Sequence, residues 1–132
     1  MKTIAISEYF DLIHKGHIEY IKLAKQLGDK LIVILNNDEQ AVLKKGRPFM
    51  LLEDRKAIPE SIKYIDEVFV SIDKDRSVKK SLESIKPHIF AVGADRFAYE
   101  IPEAETCKRL GIQIVDGLGT KIQSSSNIIS SN

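Results

Sequence analysis

Short apolar runs alternate along the chain with longer segments in which apolar residues recur every three or four positions. The run Leu31–Leu35 is entirely apolar, which is typical of a strand buried on both faces of a parallel sheet. From Gly16 onward the helical spacing predicts a helix, and Gly28 stands where a left-handed residue would end it. The predicted strands are Thr3–Ser7, Leu31–Leu35, Glu67–Ser71, His88–Val92 and Gln113–Val115.

The segments between these strands have helical periodicity. The predicted helices are Gly16–Leu27, a short helix within residues 38–47, Glu53–Ile65 with a kink or a break at Pro59, Ser77–Ile85, Pro102–Leu110 capped by Gly111, and a last one starting near Ser125. Strands that alternate with helices through short links predict an α/β fold. We therefore expect one domain over residues 1–132, a Rossmann-like parallel five-stranded sheet with helices on both faces.

Composition narrows the class of protein. With 43% hydrophobic and 30% charged residues, the chain has the make-up of an ordinary soluble domain. Twenty basic and nineteen acidic residues give a net charge of +1, so no overall field favours a nucleic acid or an anionic membrane as partner. Cys107 is the only cysteine and falls inside a predicted helix, which favours a core position and a reducing, cytoplasmic setting.

The segment between the first strand and the first helix contains two histidines, His14 and His17, on either side of Gly16. Ligands of open parallel sheets bind beyond the carboxyl ends of the strands, where a helix amino terminus attracts phosphate. Both imidazoles can point into the crevice beyond these strand ends, and the glycine lets the backbone approach a phosphate closely. The spacing therefore predicts a triphosphate site.

The sequence His-Lys-Gly-His, preceded by Phe10 and Asp11, resembles the His-x-Gly-His signature of the cytidylyltransferase-like nucleotidylyltransferases. Further segments are similar to that family and occur in its order. They are Gln26–Val33, Lys45–Pro48, Glu53–Arg55, Tyr64–Val68, Gly93–Asp95 and Ser124–Ile129. The resemblance covers nearly the whole chain.

The resemblance implies a reaction in which a phosphate or carboxylate oxygen of an acceptor attacks the α-phosphorus of a nucleoside triphosphate and expels pyrophosphate, usually with Mg²⁺. It implies catalytic roles for His14, His17, Lys45 and Arg55, with Lys44 and Arg47 as basic neighbours. It implies nucleotide binding by Tyr9, Phe10, Asp11, Gly16, Gly93, Asp95, Ser124, Ser125 and Ser126, with Arg96 beside Asp95. A phosphorylated small molecule would be the acceptor, and the family often forms homodimers.

The acceptor and the base stay open. The region from Lys45 to Arg55 looks nearest to the adenylyltransferase domains that activate heptose 1-phosphate for the lipopolysaccharide core, whereas glycerol 3-phosphate cytidylyltransferases and archaeal-type FAD synthetases are close rivals. ATP and CTP are therefore both candidates. Some of the proposed residues also have structural explanations: Arg55 could pair with Glu53 or Asp54. The serines could merely cap a helix.

One departure from the family pattern stands out. The chain has Glu8 and Tyr9 where the family usually has Gly-Thr or Gly-Cys. A carboxylate adds bulk and like charge beside an anion, so Glu8 could point away, coordinate the metal, or mark an altered site. This departure motivates a second hypothesis, a non-catalytic nucleotide-binding module. The spacing of the two histidines motivates a third, a zinc hydrolase whose ligands are His14, His17 and Asp11.

Overall fold

A computed structural model of the chain describes residues 1–10, 13–46, 50–93 and 101–118. Its strands are β1 Thr3–Glu8, β2 Lys30–Leu35, β3 Glu67–Val70, β4 Ile89–Gly93 and β5 Gln113–Leu118. Its helices are α1 Lys15–Lys25, α2 Asp38–Lys45, α3 Leu52–Glu60, α4 Lys79–Ile85 and α5 Ala104–Leu110. These ten elements lie where the sequence predicted them, while the helix predicted near Ser125 falls outside the described ranges.

The five strands form one parallel sheet in the order β3-β2-β1-β4-β5. This confirms the predicted Rossmann-like fold. β1 is central because it pairs with β2 on one side and with β4 on the other; Ala5 lies opposite both Ile32 and Phe90. The strand order reverses between β1 and β4, and a crevice for ligands opens at such a point beyond the carboxyl ends.

Helices cover both faces of the sheet, as predicted. On one face Ile4 and Ile6 of β1 pack in a buried cluster with Ile21 of α1. On the other face Ala5 belongs to a cluster that includes Leu82 of α4 and residues of α5. Alternation along β1 thus divides the core into two layers, because successive side chains of a strand point to opposite faces.

Four helix boundaries differ from the prediction by two residues or more. α1 ends at Lys25 instead of Leu27, and α5 begins at Ala104 instead of Pro102. The other two boundaries belong to α3 and α4. α3 ends at Glu60, soon after Pro59, instead of continuing to Ile65. The chain leaves the helix in tight turns, because the backbone N–H groups of Ser61 and Ile62 donate to carbonyl oxygens only three residues earlier, those of Ile58 and Pro59. α4 begins at Lys79 and not at Ser77, because the backbone N–H and hydroxyl of Ser77 both donate to Asp75 Oδ1 and hold a turn. In the part of the chain that the structure describes, no helix is both long and apolar enough to cross a membrane.

Gly28 has a different role from the predicted one. α1 ends at Lys25 with Gln26 as a right-handed cap, and Gly28 is not among the glycines with positive φ. A Cβ at Gly28 would lie 2.2 Å from Ile4 Cδ1 and 2.8 Å from the Lys2 carbonyl oxygen. This glycine therefore permits a close approach to β1. By contrast, Gly111 has the predicted left-handed conformation, with φ of 73°.

Replacing Gly28 by alanine is expected to lower the free energy of unfolding by about 1–3 kcal/mol, because the new methyl group overlaps the core and a backbone oxygen. Urea denaturation measures the change. A second substitution, Ile4→Val, removes Cδ1 and should cost less in the Gly28→Ala background than in the wild type. Equal costs in both backgrounds would show that the Ile4 side chain is not what Gly28 accommodates.

The single thiol is a core group. Cys107 is completely buried in α5, and burial, with a smaller contribution from Glu103, raises its pKa to about 11. Because the thiolate is the reactive form, Cys107 of the folded protein is expected to react with an aromatic disulfide reagent at pH 8 more than about 100-fold slower than a free thiol. The same protein in denaturant is the control. Rapid labelling of the native chain would contradict this core position.

Candidate functional site

The two histidines form the cap of α1. His14 is the N-cap residue, and its Nδ1 accepts a hydrogen bond from the backbone N–H of Gly16 at 3.0 Å. His17 makes the reciprocal hydrogen bond, since its Nδ1 accepts from the backbone N–H of His14 at 3.0 Å. Serine or threonine with glutamate or glutamine usually forms such a reciprocal capping box. Here two imidazoles form it, so cap formation fixes both rings.

The cap also determines where each ring carries its proton. An Nδ1 that accepts a hydrogen bond bears no proton, so the neutral imidazoles of His14 and His17 carry theirs on Nε2. The two ring centroids are 4.1 Å apart. His14 is exposed and the side chain of His17 is 20% exposed. Two Nε2–H donors are therefore held together at a helix amino terminus, which carries partial positive charge.

Gly16 makes room for this arrangement. A Cβ at Gly16 would lie 2.8 Å from His14 Cε1 and 3.1 Å from His14 Nδ1. The glycine between the histidines was predicted to admit a phosphate to the backbone. The structure gives it a further role, because the imidazole of His14 can fold over the backbone only where the Cβ is missing.

Phe10 supports His17 from the core side. The residue leaves β1 in the left-handed conformation, with φ of 49°, which is unusual for a bulky side chain. Its ring is buried and meets the His17 ring edge-on, with centroids 5.4 Å apart and planes at 89°. Such edge-to-face contacts hold aromatic rings in a defined orientation. The structure thus places Phe10, predicted to bind nucleotide, beneath the histidine.

Glu8 and Tyr9, at the end of β1, each face a basic group. Glu8 Oε1 lies 3.5 Å from His17 Nε2, and the Glu8 side chain is 28% exposed. The Lys44 ammonium lies over the Tyr9 ring, 4.4 Å from its centroid. Of the roles that the sequence left open for Glu8, pointing away from the site is wrong, because the carboxylate faces the histidine.

Arg55 is completely buried, at 0% exposure, and is the largest such side chain among the residues that the structure describes. Its Nη1 donates to the carbonyl oxygens of Tyr9 at 2.8 Å and Asn36 at 2.7 Å, and its Nε donates to Met50 O at 3.1 Å. Its Nη2 donates to Asp38 Oδ1 at 2.6 Å. The guanidinium thus ties the ends of β1 and β2 to α2 and α3.

The ion-pair partner of Arg55 is therefore Asp38, 17 residues earlier, and not the neighbouring Glu53 or Asp54 that the sequence suggested. All four bonds go to the chain itself. The sequence predicted a catalytic role for Arg55, and that role stays a prediction. The observed contacts show that Arg55 holds the ends of β1 and β2 in position next to the histidines.

A second network, which the sequence analysis missed, joins the ends of β2 and β3. Gln40 is completely buried, and its Oε1 accepts from Asn36 Nδ2 and from the Asn37 backbone N–H. Asn37 Nδ2 donates to the carbonyl oxygens of Ser71 and Asp73. The signal was present in the two asparagines directly after an apolar strand, although their position in the sequence does not show which groups they bind. This network fixes the rim of the crevice.

The remaining predicted residues are distributed as follows. Gly93 is the last residue of β4 and so lies at the carboxyl edge of the sheet, as predicted. Lys45 ends α2, and its side chain is outside the described part. Asp11, Arg47, Asp95, Arg96, Ser124, Ser125 and Ser126 also fall outside the described residues.

His88 lies at the opposite edge of the sheet, where its Nδ1 accepts from the Thr3 backbone N–H at 3.0 Å. The two histidines of the cap already use both Nδ1 atoms, which leaves their Nε2 atoms for a ligand. Over residues 1–10, 13–46, 50–93 and 101–118 no three His, Cys, Asp or Glu side chains are grouped to hold a metal ion. The zinc hypothesis also involves Asp11, which is outside those ranges, and it stays a prediction.

Comparison with known proteins gives consistent matches. The chain is 37% identical over 94 residues to FAD synthase of Pyrococcus horikoshii, covering 70% of this chain and 63% of that protein. It is 35% identical over 113 residues to FAD synthase of Ferroglobus placidus, covering 86% and 72%. It is 38% identical over 109 residues to the bifunctional protein HldE of Helicobacter pylori, covering 81% of this chain but 23% of that protein.

The chain therefore spans less than two thirds of the Pyrococcus relative and about a quarter of HldE. Among solved structures, a lipopolysaccharide core biosynthesis protein from Thermoplasma volcanium superposes with a TM-score of 0.76 at 27% identity, covering 88% of this chain and 95% of that one. The model of the cytidylyltransferase-like family matches residues 9–132, which include both histidines of the cap. The chain belongs to the cytidylyltransferase-like family.

Proposed function

We propose that this chain transfers a nucleotidyl group from a nucleoside triphosphate to a phosphorylated small molecule. The observation that carries the proposal is the pair of Nε2–H donors, His14 and His17, fixed at the amino terminus of α1 beside the sheet's reversal point. Hydrogen-bond donors in that place suit a polyphosphate. They are held by the backbone before any ligand arrives, so binding requires little reorganisation of the rings.

The chemistry assigned to the site is an in-line displacement. An acceptor phosphate oxygen forms a bond to the α-phosphorus while the bond from that phosphorus to the bridging oxygen of the β-phosphate breaks, and pyrophosphate leaves. Because the protein forms no bond, its contribution is alignment and stabilisation of the charge that builds on the phosphates. The Nε2–H groups would donate to that charge. Lys45 and the serines at 124–126 are proposed to assist at the outer phosphates.

Mg²⁺ enters this proposal with the nucleotide. The described residues offer the carboxylate of Glu8 beside the histidines but no group of three metal-binding side chains. This donor set suits an ion held mainly by phosphate oxygens, as Mg²⁺ commonly is, and not a closed protein cage. When bound, the ion neutralises part of the triphosphate charge. Arg55 is proposed to act behind the site by holding the ends of β1 and β2.

Two acceptor classes are favoured by particular similarities. A sugar phosphate such as heptose 1-phosphate is supported by the likeness to HldE and to the Thermoplasma protein. FMN, with ATP as nucleotide, is supported by the likeness to the FAD synthases. A nucleotide-binding module without turnover is the alternative, and the observation that favours it is Glu8 facing His17. The cytoplasmic setting and the homodimer stay predictions.

The test is pyrophosphate release with Mg²⁺ and each of ATP, CTP, GTP and UTP. Each nucleotide is paired with heptose 1-phosphate, glycerol 3-phosphate, ethanolamine phosphate and FMN. One pair is expected to release pyrophosphate at least about 100-fold faster than the nucleotide without acceptor, and the product identifies the acceptor class. Folded protein that binds nucleotide but releases no pyrophosphate with any pair would contradict transfer to these acceptors and favour the binding module.

A further inference from the structure

His17 presents its Nε2–H toward a carboxylate of its own chain. Its Nδ1 is committed to the His14 backbone N–H, so Nε2 is the atom left to meet a ligand. Glu8 Oε1 lies 3.5 Å from that atom, and both side chains are largely shielded from water, at 28% and 20% exposure. Any anion that approaches His17 Nε2 therefore approaches Glu8.

A phosphate and this carboxylate compete for the same space and charge. A phosphate oxygen that accepts from Nε2 would lie about 2.9 Å from it. Glu8 Oε1, at 3.5 Å from the same nitrogen, would then be a close neighbour of like charge. Partial burial weakens the screening of that repulsion by water. Phe10 packs edge-on against the His17 ring, and the Nδ1 bond to the His14 backbone also holds that ring, so its freedom to turn away is limited.

Lys44, the second basic residue near the end of β1, also contacts a side chain of that strand end. The Lys44 ammonium lies over the Tyr9 ring. Glu8 and Tyr9 are adjacent, so two successive residues of one strand end contact His17 and Lys44. Of the two contacts, the Glu8 carboxylate adds negative charge where a bare anion would approach, whereas the uncharged Tyr9 ring leaves the charge of Lys44 in place.

We infer that Glu8 is a specificity-determining residue that discriminates against uncomplexed polyphosphate and so makes the site selective for the magnesium complex. The inference rests on the proposed function, since it concerns the phosphate groups of the same nucleotide. A divalent cation on the triphosphate offsets the charge that Glu8 repels, whereas free triphosphate keeps it. Selectivity then arises from one carboxylate on the chain, without a dedicated protein cage for the metal.

The test measures binding and not turnover. Inorganic tripolyphosphate, which carries no base, is titrated calorimetrically into the wild type and into Glu8→Gln, once with excess Mg²⁺ and once with EDTA. Glutamine keeps the size of Glu8 but removes its charge. Glu19→Gln is the matched control, because it removes the same charge from a nearby residue. Glu19 lies on α1 two residues after His17, and side chains two residues apart on a helix do not face each other.

The wild type is expected to bind tripolyphosphate more than about tenfold tighter with Mg²⁺ than with EDTA. Glu8→Gln should strengthen binding in EDTA about tenfold and change binding with Mg²⁺ less than about threefold, while Glu19→Gln stays within about twofold of the wild type in both. Weaker binding by Glu8→Gln with Mg²⁺ would overturn the inference, because Glu8 would then contact the ligand favourably.

If Glu8→Gln binds tripolyphosphate in EDTA with unchanged affinity, the inference about Glu8 is also overturned. A failure of this inference can be distinguished from a failure of the proposed function. If the wild type transfers nucleotide but Glu8→Gln binds tripolyphosphate as the wild type does, only the inference about Glu8 is wrong. If Glu8→Gln shows the expected change in binding but no acceptor supports transfer by any variant, only the proposed transfer is wrong.

Discussion

Nucleotidyl transfer is expected to fall about 10²–10³-fold in kcat when His14 is replaced by asparagine, and to a similar extent when His17 is replaced by glutamine. Both substitutions remove an imidazole ring, and with it the ring Nε2–H donor, from the amino terminus of α1. Both also keep an oxygen that can replace the Nδ1 acceptor, because asparagine is a good N-cap and glutamine is a usual third residue of a capping box. The variants therefore separate chemistry from capping.

His14→Ala is the matched control, since it removes the cap and the donor together. It is expected to lower the free energy of unfolding by about 1 kcal/mol, whereas His14→Asn should stay within about 0.5 kcal/mol of the wild type. Initial rates of pyrophosphate release and urea denaturation are measured on each variant. Full activity of His14→Asn and His17→Gln would show that the rings serve only to cap α1.

Replacing Arg55 by methionine is expected to destabilise the protein by about 3–5 kcal/mol, because several acceptors lose their donor and each such loss away from water costs about 1–3 kcal/mol. Methionine fills much of the arginine volume but leaves the carbonyl oxygens of Tyr9 and Asn36 and the carboxylate of Asp38 without their donor. For a domain of this size the midpoint of thermal unfolding should drop by about 10–20 °C. Differential scanning calorimetry gives both quantities.

Two further variants show which bonds of Arg55 account for the loss of stability in Arg55→Met. Asp38→Asn removes only the charged partner, which is 41% exposed, and should cost about 1 kcal/mol. Arg55→Lys keeps the charge but loses the planar guanidinium that reaches four acceptors, so its stability should lie between those of Asp38→Asn and Arg55→Met. An Arg55→Met protein as stable as the wild type would mean that these buried bonds contribute no net stability.

The fold was predictable because its signals are local. The apolar run of β2 and the three-residue spacing of α1 report burial directly, and short links leave few ways to connect alternating strands and helices. Boundaries were predicted less well where a side chain ends an element early. Ser77 donates to Asp75 and delays α4, and that bond depends on side-chain geometry that periodicity does not report.

The site was predictable only where its residues are adjacent in sequence. His14, Gly16 and His17 were found from their spacing, but the capping box was not, because imidazoles seldom form one. The bonds of Arg55 join segments up to 46 residues apart, and the pair of Glu8 with His17 forms only when the chain turns at Phe10. Such contacts are products of the tertiary fold.

Gly28 illustrates the same limit. A glycine after a helix suggested a left-handed cap, since that is its usual reason to be there. Its actual reason is the side chain of Ile4, 24 positions earlier. Sequence patterns explain a glycine by the backbone conformation that it allows. They contain no information about close packing between segments that are distant in sequence.

The central place of β1 has a consequence for biosynthesis. β1 is synthesised before the other described strands of the sheet, yet one of its two neighbours is β4, and the Tyr20 hydroxyl of α1 donates to Ala91 O at 2.8 Å. Contacts between such distant residues form late in folding. A nascent chain that ends before β4 would thus lack the Tyr20 contact that holds α1 to the sheet, and its exposed apolar strands would favour binding by chaperones.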